Sequence, residues 1–280
     1  MIPNLSIHNR SRWESLLIGY FLVLLVFRIY SSAMLVFAHG QTFHSPDLDY
    51  TFWFSHLLGF PDVIIRHYWL CLLVDTGVAG AAVMALFDKK NRAVWMAALM
   101  LFFFIQRITL ESFSASHTKS IACIFVALFP LCFRKEERFA LMMEGARYFL
   151  LFILLISAWN KWANGALLSE GNFANMLINQ HSDLAVYAPQ HISYRIAQWL
   201  TETPLFADIA YWLLFLTQAS FIIGVFTRRA DQWLFIALIA FAITTYLVMR
   251  IYNFDLLVLG WVLLYIPKKK VNRLYDNMLN

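Results

Sequence analysis

The chain has 280 residues, 61% of them hydrophobic and only 14% charged. Soluble domains average about 25% charged and about 45–50% apolar, so this composition excludes a disordered chain, a disulfide scaffold and an ordinary soluble enzyme. The net charge of +5 does not point to nucleic acid, because Lys and Arg collect in short segments between apolar runs.

A helix needs about 20 mostly apolar residues to cross the hydrocarbon of a bilayer. In chain order the runs are 16–38, 67–87, 93–111, 117–133, 145–163, 209–227, 232–250 and 253–267, of which 117–133 and 253–267 are short. The first run is too long for the apolar core of a cleavable signal and is read as a span. Basic residues mark the cytoplasmic side. Arg10 and Arg12, Lys89, Lys90 and Arg92, Arg134, Lys135 and Arg138, Arg228 and Arg229, and Lys268–Lys270 with Arg273 all fall in one alternate set of segments. The other set holds only Arg66 and Arg195. The expectation is an all-α polytopic helix bundle of about eight transmembrane helices with both termini cytoplasmic. Residues 1–280 form one membrane domain with external loops 39–66 and 164–208 and no soluble domain.

Seven histidines (His39, His44, His56, His67, His117, His181 and His191) fall on or near the external side. None has metal-site spacing, and no metal is expected. Cys71, Cys123 and Cys132 lie in apolar segments and read as packing residues.

Ionisable residues inside spans are the informative ones, because each costs several kcal/mol unless it pairs or meets water. Lys161 follows a very apolar run and is flanked by Trp159 and Trp162. A lysine in a dry site can serve as a general base; the plainer reading is a lysine snorkelling to an aromatic belt. His117 opens its span and could orient or share a proton, or simply bond to backbone. Arg107 and Glu111 are four apart, on one helix face, and can pair. Arg28 and Asp75 lie mid-span in the first two helices, as a structural pair or as part of a proton relay. Asp255 and Arg250 read as capping and interfacial residues.

The stretch 148–171, YFLLFILLISAWNKWANGALLSEG, resembles a membrane helix of the vitamin K-dependent gamma-glutamyl carboxylase family. SASHTKSIACIFVALFP (114–130) is similar to that family's Asn-His stretch, and NFDLLVLGWVLLYIP (253–267) to its last membrane helix. Order and spacing agree over roughly 10–270. The chain thus resembles the HTTM (horizontally transferred transmembrane) domain, which the carboxylase shares with many bacterial proteins. The resemblance implies Lys161 as the base and His117 as its assistant; Trp159 and Trp162, beside the lysine, are expected to roof a dry pocket for the cofactor together with the 164–208 loop. The cofactor it implies is a reduced quinone such as menaquinol. It implies a bacterial inner membrane, with the working face periplasmic or extracellular.

Three functions compete. One is a quinone- or isoprenoid-lipid-dependent membrane enzyme with Lys161 as base. Another is a non-catalytic partner in export, maturation or immunity for a secreted peptide, binding that peptide or a second membrane subunit. The third is a transporter, for which broken helices in an internal repeat are the usual pointer; the sequence shows no such repeat. The lipid bilayer is a partner in all three.

Overall fold

A computed structural model of the chain describes residues 7–40, 57–113, 119–251 and 253–266. Those residues form helices joined by short connectors, with no strand among them. Among the described residues six helices are long and apolar enough to cross a membrane: Arg10–Ala38, Tyr68–Phe87, Arg92–Phe113, Glu136–Ala163, Pro204–Phe226 and Arg228–Met249. The runs at 117–133 and 253–267 hold shorter apolar helices, Ala122–Cys132 and Phe254–Leu264. A helix of that length rises only about 16 Å, roughly half of the ~30 Å hydrocarbon. On the long helices Val23, Val26, Leu101, Phe152, Leu213 and Trp233 are exposed. Water would penalise such a surface; lipid would not.

The chain divides into two compact units, residues 7–143 and 144–266 among those described. In the first, α1 (Arg10–Tyr30) buries Trp13, Leu17, Phe21, Leu24 and Leu25, spaced three and four apart. It packs on α4 (Tyr68–Phe87), which packs in turn on α5 (Arg92–Phe113). Two short helices, α2 (Leu35–Ala38) and α3 (Phe60–Arg66), precede α4. Helix α4 buries Val78, Ala81, Ala82 and Ala85. A Cβ on Gly77 would stand 2.7 Å from the Phe102 ring, so only glycine allows this approach. Asp88, in the turn after α4, accepts hydrogen bonds from Asn91 and from the Trp95 indole. The bonds from Asn91 and Trp95 hold its carboxyl below the ordinary aspartate range.

One end of this unit is tied by charge. Glu14 accepts from Arg92 and, at 2.7 Å, from Arg10. Arg10 also reaches Glu136 at 3.2 Å and the Phe133 carbonyl. Helix α5 starts at this end with Arg92, and α7 (Glu136–Ala163) starts there with Glu136. The chain between them therefore returns along the length of α5. It does so through α6 (Lys119–Leu128) and the 3-10 turn Phe129–Cys132.

The second unit contains the rest of α7 and the helices that follow. Arg147 is its anchor: fully buried, it donates twice to Asp231 at 2.8 Å, and to the carbonyls of Gly224 and Thr227. This clamps α7 to the turn between α12 (Ile222–Phe226) and α13 (Asp231–Met249). Glu144 pairs with Arg147 and with Arg228 at the same end. A Cβ on Gly224 would meet Leu151 at 2.7 Å and Leu234 at 2.8 Å, so glycine is required where these segments meet.

Residues 164–208 fold into helices rather than open loop: α8 (Asn172–Gln180), α9 (Ser182–Tyr187) and α10 (Ile192–Glu202). Phe173 of α8 stacks on Tyr211 of α11 (Pro204–Ala219) at 5.0 Å, and α10 packs on α13. Arg250, in the left-handed conformation that ends α13, donates to both oxygens of Asp183. The last helix, α14 (Phe254–Gly260), runs back along α13; Leu256 to Gly260 are all buried. Its burial on every side explains why the run 253–267 reads as a span while being short.

Candidate functional site

Lys161 lies in the last turn of α7. Helical side chains lean toward the helix N-terminus, and its amine reaches back one turn. It donates to Ser157 Oγ at 3.1 Å, to the Ser157 carbonyl at 3.4 Å and to Gln218 Oε1 of α11 at 2.7 Å. The Gln218 amide nitrogen donates to the same Ser157 Oγ at 3.1 Å, and Gln218 is buried. Two helices thus hold one amine through a serine and a neutral amide.

The depth of this group matters. The helical path from Pro204 to Gln218 is about 21 Å and from Gln218 to Phe226 about 12 Å, within a candidate span running Pro204–Phe226. Lys161 closes its own apolar run, yet α11 continues well past it. The amine therefore lies inside the span of its neighbour.

The two tryptophans point away from a closed recess: Trp159 is 65% exposed and Trp162 is 49% exposed. Trp162 stacks on Phe215, with ring centres 6.4 Å apart. His117 lies outside the described residues, as do His44 and His56.

The other intramembrane charges belong to the first unit. Helix α1 stops at Tyr30, the chain turns through Ser32 at φ 55, and α2 resumes at Leu35. The Asp75 carboxylate faces this break. It accepts from the backbone N–H groups of Leu35 (3.3 Å) and Val36 (3.0 Å), the first two of α2. It also accepts from Gln106 Nε2 of α5 at 2.7 Å. A side-chain carboxylate thus supplies the acceptors that the interrupted helix lost. Gln106 is fully buried, and its Oε1 has no hydrogen-bond partner. The Arg28 guanidinium stands 5.3 Å over the Phe103 ring. Arg107 donates to Glu111 at 3.1 Å within α5.

Of the remaining histidines, His191 caps α10 by accepting from Ser193 N–H, and His39 meets Tyr68 edge-on at 5.7 Å. His181 is 2% exposed, its Nδ1 3.0 Å from the Leu177 carbonyl and its Nε2 without a partner. Burial pulls its pKa below the ordinary imidazole value. Among the described residues no three His, Cys, Asp or Glu side chains gather as a metal would need.

Several polar residues that matter escape sequence reasoning. Ser157 stands one turn before Lys161, so its spacing is a signal. Gln106 and Gln218 carry no charge and sit in apolar runs with no motif. Glu14 with Arg92 and Arg147 with Asp231 are far apart in the chain, and only the fold joins them.

Long apolar helices with charges paired at their ends and amides serving the charges within define the class: an all-α, multi-pass integral membrane protein. No family model, no curated protein and no solved structure matches the chain.

Proposed function

We propose that this is a membrane enzyme of the HTTM kind in which Lys161 accepts a proton from the hydroxyl of a reduced quinone or another isoprenoid lipid. The observation that carries this reading is the set of partners around the amine. As ammonium it has three hydrogens for Gln218 Oε1, Ser157 Oγ and the Ser157 carbonyl. As neutral amine it keeps two of those bonds and receives the Ser157 hydroxyl hydrogen on its lone pair. These partners serve both states without moving a heavy atom. A proton acceptor needs that property, and a merely structural cation does not. The step is a proton transfer only: the quinol O–H breaks as its proton passes to Ser157 Oγ, the Ser157 hydroxyl hydrogen moves to Lys161 Nζ, and an ammonium is left with the quinol anion.

The test uses the quinol as its own indicator. Purified full-length protein is loaded with menadiol under anaerobic conditions, and the absorbance of the quinol anion is followed against pH. The bound anion is expected at lower pH than in free menadiol, and Lys161→Met should bind menadiol yet titrate like the free compound. Identical titrations for the two proteins would overturn the proposal, as would failure of the unmodified protein to bind menadiol.

One observation favours a second reading, a proton- or ion-coupled transporter. The first span is broken, and a buried carboxylate faces the break, as in transporters built on discontinuous helices. Proton-driven uptake in proteoliposomes that is lost on Asp75→Asn would choose this reading over the enzyme.

A further inference from the structure

Helix α10 has three faces. Ser193, Ala197 and Leu200 are buried against its own unit, while Gln198 and Thr201 lie on a polar side. The third face carries Ile192, Arg195, Ile196 and Trp199, at intervals of three and four. With Gln190 these residues line an open groove of about 400 Å³. Ile192 is 62% and Trp199 52% exposed, so the slot is apolar and uncovered. The Arg195 side chain makes no hydrogen bond or ion pair with any described residue.

The groove does not end at α10. Trp199 stacks on Phe206 at 5.4 Å and 26°, and Phe206 opens an exposed apolar stripe along α11 through Ile209, Leu213 and Leu216. That stripe belongs to a candidate membrane span. The surface is thus continuous from a lipid-facing helix into a slot with a cation at its centre. A tryptophan stands at the junction, where such rings favour the headgroup level.

We propose that this groove is a binding site for an anionic glycerophospholipid. The phosphate pairs with the Arg195 guanidinium, whose planar fork matches phosphate oxygens. The glycerol region lies against Ile192, Ile196 and Trp199, and an acyl chain follows Phe206, Ile209 and Leu213 along α11. The leaflet is the one at the Pro204 end of α11, opposite the Arg147–Asp231 clamp. The site is independent of the Lys161 reading and stands or falls without it.

Native mass spectrometry of the full chain released from detergent tests the site. With phosphatidylglycerol, the protein should retain one lipid more than Arg195→Gln, and that variant's occupancy should fall about fivefold, the worth of one basic residue at a lipid surface. Phosphatidylcholine occupancy should differ little between the two proteins. Trp199→Ser should lower retention of both lipids. Both substitutions are at exposed positions, and unchanged elution on size exclusion verifies folding. Equal phosphatidylglycerol retention by the protein and Arg195→Gln would overturn the site. Displacement of the lipid by excess inorganic phosphate alone would also overturn it, because a free anion has no use for the stripe on α11.

Discussion

Each of the two units holds an intramembrane ionisable group bonded to a glutamine, and the two are served in mirror fashion. In residues 7–143 the group is the Asp75 carboxylate, and its shortest bond comes from the amide nitrogen of Gln106 at 2.7 Å. In residues 144–266 it is the Lys161 amine, which donates to the amide oxygen of Gln218, also at 2.7 Å. A glutamine offers either end, so the same residue type solvates an anion in one unit and a cation in the other. Elsewhere the solution differs: Arg147 meets Asp231, and Arg92 meets Glu14, charge against charge. An ion pair locks both partners in their charged states. A neutral amide leaves its partner free to gain or lose a proton. The proposed role of Lys161 draws on that difference.

The largest effect should come from breaking a lock. Arg147→Met leaves Asp231 buried without its partner, which costs about 3–5 kcal/mol. The protein should lose most of its folded yield in detergent, while Arg147→Met combined with Asp231→Leu should recover a good part. If the single variant melted like the parent, the clamp would have no structural role.

Removing an amide should cost less. Gln106→Leu and Gln218→Leu each remove a 2.7 Å hydrogen bond from an ionisable group, the buried Asp75 and the half-buried Lys161, about 1–3 kcal/mol by thermal melting. Asp75→Asn should be milder than Asp75→Leu, because the asparagine oxygen still accepts from Val36 N–H and a turned Gln106 amide can accept from the asparagine nitrogen, with only the 3.3 Å bond from Leu35 lost. Equal losses for the Asn and Leu variants would show that Asp75 fills space rather than capping α2.

Lys161→Met should change the melting temperature by only a few degrees while removing the menadiol response. A large loss of stability with menadiol titration intact would invert the contrast and make the lysine structural.

The smallest effect concerns His181. Its folded pKa lies below the unfolded value of about 6.5, because burial disfavours the imidazolium. Above that pH both states are neutral and no stability depends on it. As pH falls below it, the unfolded chain takes up a proton that the folded one refuses, so stability declines until the folded pKa is reached. Melting between pH 7.5 and 5 should therefore slope downward toward acid, and His181→Gln should flatten the slope by about 2 °C.

Hydropathy alone carries the spans, since a bilayer rewards about 20 apolar residues whatever their neighbours are. The six long helices follow from that rule, and the two short runs hold shorter apolar helices among the described residues. Spacing within one helix was also readable for Arg107 with Glu111; the same 3.6 residues per turn join Ser157 to Lys161, but nothing else in the sequence marks that serine. What no local rule contains is which polar group on one helix meets which on another. Gln106 and Gln218 look like ordinary polar interruptions, and the break after Tyr30 has no proline to announce it. Their importance arises when packing brings a carboxylate or an amine within hydrogen-bond reach in a medium where water cannot substitute. The apolar groove along α10 arises the same way: the residues are in the sequence, but only the stack of Trp199 on Phe206 joins them to a membrane-facing stripe.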